Sequence, residues 1–398
     1  MKTDSPGQLL LIGVPGKELD PETAAILRRV QPGGFILFGR NVESAPQLRK
    51  LIDDLRELSE VEPIITIDQE GGRVSRLRLI GNEPPNAQEL REKADLTLIA
   101  RHGDITGRLL RLFGFNLDLC PVLDISFDDD ADNSLRGRCY GKNVEEVVRN
   151  AAAFNHAMRA QGIASCGKHF PGYSAATIDA HHELPKIERT RGELEGEELA
   201  VFRAFTGSGG SSNRPQAIGV PASALSYGAA SNRPSLDGDI VDSMMICHGW
   251  YPSLEQEKLA ASLSPRVITD LLRGELGFTG LVMTDDLDMG AILNEYGLEE
   301  TIRRALAAGN DLAMICHRLA AVEQAHVVLH TLPTDQLERA LASVANFKKK
   351  LAPPENFSEG AFRAIDQEIW DLRVAVLGPE GAARRSPEDG KRSPVEVY

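Results

Sequence analysis

The sequence predicts an α/β protein folded as a single parallel (β/α)8 barrel of the TIM type. Three observations lead there. At 398 residues, with 42% hydrophobic and 26% charged content, the chain can bury one large core. Eight short apolar runs alternate with helical stretches, the pattern that builds parallel sheets through right-handed crossovers. No glycine-rich nucleotide fingerprint marks the open, doubly wound alternative.

The candidate strands cover residues 9–14, 34–38, 63–68, 117–125, 163–170, 243–248, 281–286 and 311–316. Runs such as IITID and LVMTD lack alternation, which suits strands covered on both faces. Between them, Asn143 with Glu146 predicts a capping box, Gly162 a left-handed helix end, and Ser264-Pro265 a helix start. Residues 207–239 break the rhythm: they are rich in Gly, Ser, Asn and Pro and repeat SNRP at 212–215 and 231–234. Lying between a helix at about 193–206 and the next strand, this insertion is expected to be a flexible, non-catalytic loop at the face opposite the active end. An amphipathic helix over 334–351 closes the barrel, and a short helix follows at 359–372. The barrel domain is thus expected to span 1–372, with 373–398 a polar, disordered tail.

Charge and cysteine content narrow the function. Lys and Arg number 44 against 58 Asp and Glu, a formal charge of -14, which disfavours nucleic acid and anionic membrane surfaces and points to a small-molecule substrate. The five cysteines show no close pairing and no metal-ligand spacing, so they read as buried thiols of a reducing compartment. The run at 9–14 lacks the charged lead and length of a signal peptide or membrane span, and cytoplasmic residence is expected. Oligomeric state is not readable.

In a parallel barrel the C-terminal strand ends form the active face, so polar residues where apolar runs stop are the candidates. The third run ends in IDQEGGRVSRL, with Asp68, Gln69 and Glu70 before a Gly71-Gly72 turn and Arg73 and Arg76 after it. Asp68 there can accept hydrogen bonds from hydroxyl groups. The fifth run ends in Lys168 and His169 and leads to Asp179, His181 and His182; the seventh ends in Asp285, Asp286 and Asp288. Each cluster has a plain alternative, a helix cap for an Asp or a buried polar partner for a His, but three clusters at three strand ends favour a site. Metal ligation by His169, His181, His182 and the Asp285 group is disfavoured because no HxH pair appears in metal-hydrolase order. No metal or other cofactor is expected.

At these residues the sequence resembles glycoside hydrolase family 3, in its single-domain β-N-acetylhexosaminidase branch. The motifs, in order, are QPGGFILFGRN at 31–41, IDQEGGRV at 67–74, CPVLD at 120–124, RCYG at 138–141, KHFPG at 168–172, DAH at 179–181 and TDDLDMGAI at 284–292. The resemblance implies a retaining, exo-acting enzyme that removes terminal β-linked N-acetylglucosamine, for example from cell-wall muropeptides. It implies Asp285 as nucleophile, His181 oriented by Asp179 as acid and base, and Asp68, Arg76, Arg138, Lys168 and His169 as the sugar-binding set. Interception of the glycosyl-enzyme by phosphate would make it a phosphorylase. The alternatives are a β-glucosidase or β-xylosidase of the same family and a catalytically silent sugar-binding protein. The last is motivated by Tyr173, Ser174, Ala175 and Ala176, which replace the branch's usual small polar and glycine residues. The second sheet domain of larger family members is not expected here.

Overall fold

The computed structural model describes residues 5–131, 133–176, 184–207 and 240–385. Eight parallel strands close into a barrel in chain order: β1 (Leu10–Gly13), β2 (Gly34–Leu37), β3 (Ile64–Ile67), β4 (Leu117–Asp118), β5 (Ala164–Phe170), β6 (Ser243–Ile246), β7 (Leu281–Asp286) and β8 (Leu312–Ile315). Pairing of Leu10 with Ala313 joins β1 to β8 and leaves the barrel sheet without an edge. The residues of β2, β3, β6 and β8 are all buried, as continuous apolar runs require once helices cover the outside. All eight expected strands are present.

The fourth strand is far shorter than the run at 117–125. Regular pairing ends at Asp118 and Pro121 has no N–H to give, but the chain stays beside its neighbours: the Leu119 N–H bonds the Ile67 carbonyl, the Cys120 and Pro121 carbonyls accept from Cys166 and Lys168, and Val122 forms an isolated bridge with Lys168. Asp124 follows this irregular stretch and lies beside His169 near the end of β5.

Helix boundaries follow their local chemistry. Over Ala45–Leu58, Ser44 and Gln47 form a reciprocal capping box, and Leu48, Leu51, Ile52 and Leu55 bury one face. Burying each such side chain contributes roughly 1.5–3 kcal/mol. Asn143 accepts the Glu146 N–H, but the Glu146 carboxylate takes the N–H of Lys142, so only half of the expected box forms. Gly162, at φ 85°, turns the chain into β5. The helix expected near 193–206 is two, Arg191–Gly196 and Glu198–Ala204.

The last helix is longer than the expected 359–372: helical structure runs on from Glu359 to Gly378, where φ of 73° breaks it, and resumes to Ala382. Arg373, 4% exposed, donates to the Glu83 carbonyl at 3.0 Å and to its carboxylate at 3.2 Å, and Val376 is buried. Residues beyond 372 thus pack against the loop that follows β3. The rest of the expected tail, 386–398, and the insertion at 208–239 lie outside the described residues. All five cysteines are buried and unpaired, as expected. Among the described residues no helix is long and apolar enough to cross a membrane.

Candidate active site

The site grows from the ends of β3, β5 and β7. After β3 the chain makes a hairpin of Gln69–Gly71 against Val74–Ser75. Gly71 has φ 110°, and a Cβ there would stand 2.3 Å from the Pro85 carbonyl oxygen, so only glycine fits. The Gln69 amide locks the hairpin, donating to Ser75 Oγ at 2.6 Å and accepting the Leu77 N–H at 3.3 Å. This places Asp68, Glu70 and Arg76 together.

Lys168, from β5, reaches across the barrel mouth. Its Nζ lies 2.7 Å from Asp68 Oδ1 and 2.6 Å from Glu70 Oε1, and Arg76 approaches Asp68 at 3.5 Å. Arg138 closes on Glu70 with two bonds of 2.8 Å and donates to the Ser134 carbonyl at 3.0 Å. All five side chains are nearly inaccessible. Burial alone would raise the two acids, yet Lys168 and Arg76 hold Asp68 below the ordinary carboxylate range. Likewise Arg138 and Lys168 outweigh burial at Glu70 and hold it well below that range. Against its own desolvation, Lys168 is raised by Asp68 and Glu70. The cluster stays fully ionised across the neutral range.

The neighbouring His169 hydrogen-bonds Asp124 through Nδ1 at 2.7 Å and meets Arg138 through Nε2 at 3.5 Å. Beneath the cluster, Asp118 is pushed up to about 8, chiefly by burial, and so holds its proton at neutral pH.

At the opposite wall, β7 sorts its two terminal acids by strand alternation. Thr284 and Asp286 share one side and accept the N–H groups of Met314 and Cys316 from β8, at 3.0 and 3.1 Å. Asp286 also accepts the Asp288 N–H at 3.0 Å, and Asp288 in turn accepts the N–H groups of His317 and Arg318. Both acids tie the ends of β7 and β8 together, and Asp286 also lines the pocket beside Asp285. Asp285 is partly exposed, and among the described residues it accepts one hydrogen bond, from the Asp286 N–H at 2.8 Å.

Asp285 lines one recess with Asp68, Arg138, Lys168 and His169. The structure therefore brings those five expected residues to a single pocket, with Arg76 behind Asp68. Asp179, His181 and His182 lie outside the described residues.

One trio, Asp286, Cys316 and His317, offers three metal-ligand atoms within 4.8 Å of one another. The Arg40 guanidinium, which can only donate, lies 3.1 Å from His317 Nδ1, so the ring proton sits on Nε2, 3.3 Å from Asp286. That nitrogen has no lone pair to give an ion, and the trio fits a metal poorly.

A recessed pocket at the C-terminal mouth of a parallel barrel, with a carboxylate facing a wall of fixed cations, defines a barrel enzyme acting on a polar small molecule. The sequence pattern described as "Glycosyl hydrolase family 3 N terminal domain" matches residues 3–212 and 235–347, leaving out part of the insertion. The chain belongs to glycosyl hydrolase family 3 and is a glycoside hydrolase. It is 33% identical over 335 residues to a Vibrio cholerae beta-hexosaminidase, covering 84% of this chain and 89% of that one. A family 3 beta-N-acetylglucosaminidase from Paenibacillus superposes with TM-score 0.78 at 29% identity, over 94% of this chain and 68% of its own. NagZ from Neisseria gonorrhoeae superposes with TM-score 0.71 at 25% identity, over 92% and 97%.

Glu70, Asp118 and Asp124 carry much of the site's electrostatics and were given no role from the sequence. Glu70 had a usable signal, since alternation after Asp68 returns it to the same side. Asp124 was hidden inside an apolar run read as one strand.

Proposed function

We propose that the enzyme removes terminal β-linked N-acetylglucosamine from saccharides, as an exo-acting, retaining glycosidase. The observation that carries this reading is Asp285, partly exposed in the recess that the donor groups of Lys168 and Arg138 also line. Similarity to the Vibrio cholerae beta-hexosaminidase and to the Paenibacillus beta-N-acetylglucosaminidase supports the sugar class.

In this reading Asp285 attacks the anomeric carbon as the glycosidic bond breaks, and His181, oriented by Asp179, gives its proton to the leaving oxygen. The same imidazole then takes a proton from water, whose oxygen attacks the glycosyl-enzyme and frees Asp285. An imidazole suits both steps because its ordinary pKa is about 6.5. Asp68, Arg76, Arg138, Lys168 and His169 hold the sugar, their positions fixed before it arrives by the buried ion pairs. Muropeptides as source, cytoplasmic residence and cofactor independence complete the proposal.

The test is release of aryl alcohol from an aryl β-N-acetylglucosaminide by the wild type and by Asp285→Ala. The variant should lose at least about a thousandfold in kcat, as expected for a lost nucleophile. Equal release would refute the assignment, and faster turnover of aryl glucosides or xylosides would refute the sugar class. A fluorinated aminosugar probe should leave its label on the peptide containing Asp285.

A further inference from the structure

We propose that Asp124 is a positioning residue that sets the tautomer of His169, so that the ring accepts from Arg138 and holds that guanidinium at the sugar pocket; this rests on the reading of the pocket as a sugar site. Asp124 is completely buried after the irregular stretch that follows β4. Its Oδ2 accepts from the His169 backbone N–H at 3.1 Å and lies 2.7 Å from His169 Nδ1. Its Oδ1 accepts the Tyr173 N–H at 2.6 Å. One carboxylate therefore receives three donors from two directions.

The far side of the ring agrees with this assignment. Arg138 has donors only, and its Nη2 lies 3.5 Å from His169 Nε2, so that nitrogen keeps its lone pair while Nδ1 holds the proton. His169 Nε2 thus takes the Arg138 N–H, and the ring links Asp124 to a guanidinium that lines the pocket. Through Tyr173 the same carboxylate anchors the start of the segment after β5, and the Ile125 N–H donates to Ser174 Oγ at 2.9 Å beside it. Asn cannot replace Asp here, because an amide has one oxygen and must turn its NH2 toward either the His169 ring or the Tyr173 N–H.

The first test reads the tautomer without turnover, by long-range 15N–1H correlation on histidine-labelled protein, with the His169 signal assigned through His169→Ala. In the wild type the proton should be on Nδ1; a proton on Nε2 overturns the proposal, and this needs no Asp124 variant to fold. The second is a double-mutant cycle in KM for an aryl β-N-acetylglucosaminide and in Kd for N-acetylglucosamine. Asp124→Asn should weaken both about tenfold in the wild-type background, the scale of one lost hydrogen bond to a charged group, and less than about threefold beside His169→Ala. Equal effects in both backgrounds would show that Asp124 does not act through His169. A wild type that binds the sugar without turnover refutes the hydrolase reading alone, since the tautomer and the Kd cycle still decide this one.

Discussion

Exchanging Glu70 for glutamine keeps the shape of the buried cluster and removes one charge. Glu70 receives two bonds of 2.8 Å from Arg138 and lies 2.6 Å from Lys168 Nζ. The amide can accept on one side, but its NH2 must face one of two cations. Removing one partner of a buried pair costs about 3–5 kcal/mol. Two contacts survive the change, Asp68 on Lys168 at 2.7 Å and the Ser134 carbonyl on Arg138 at 3.0 Å. The lower end, about 3 kcal/mol, is therefore expected. With an unfolding entropy of about 2.1 cal/mol/K per residue over 398 residues, the melting temperature should fall by about 3–4 °C.

The pH dependence has a definite sign. Glu70 has its folded-state pKa depressed by Arg138 and Lys168, so its stabilisation is present above the unfolded-state value of about 4.3 and is lost as pH falls below it. Calorimetry of wild type and Glu70→Gln should show the full difference at pH 7 and a shrinking one below about pH 4. Melting temperatures within 1 °C at pH 7, together with unchanged sugar affinity, would refute the claim that Glu70 holds Arg138 and Lys168 in place.

Asp118→Asn should behave in the opposite way. Burial raises Asp118 to about 8, so the wild type is favoured below the unfolded-state value of about 3.9 and loses that advantage as pH rises through about 8. The variant should gain about 4 kcal/mol relative to wild type between pH 5 and pH 9 in calorimetry, about 1.4 kcal/mol for each of the three pH units below 8, and a constant difference would refute the assignment. Arg373→Ala should lower the melting temperature by about 2–5 °C, because Glu83 is left buried with Arg78 at 3.0 Å as its remaining cation. A chain ending at Leu372 should lose at least as much, and one that melts with the full chain would place the fold's boundary there.

What was legible in the residues was what local periodicity and strand-end chemistry encode. Runs such as IITI and LAMI are apolar without alternation because the barrel buries both faces, and all eight strands could be found that way. Asp68, Lys168, His169 and Asp285 stood out because each is polar where such a run stops. The rest needed the fold. Asp285 and Asp286 are adjacent and chemically identical, and what separates their surroundings is tertiary: the Cys316 N–H, just after β8, bonds Asp286. The full extent of the final helix is not legible locally, because Arg373 looks like surface charge until Glu83, far away in the chain, meets it.

By itself the sequence determined the barrel, the family and the positions of most polar groups at its mouth, because repeat pattern and ordered motifs are properties of the chain read locally. Tertiary structure decided which of those groups are ionised, which face the pocket and which merely tie strands together. The physical reason is that burial and neighbouring charge set protonation and orientation, and both arise only when strands distant in sequence close around one space.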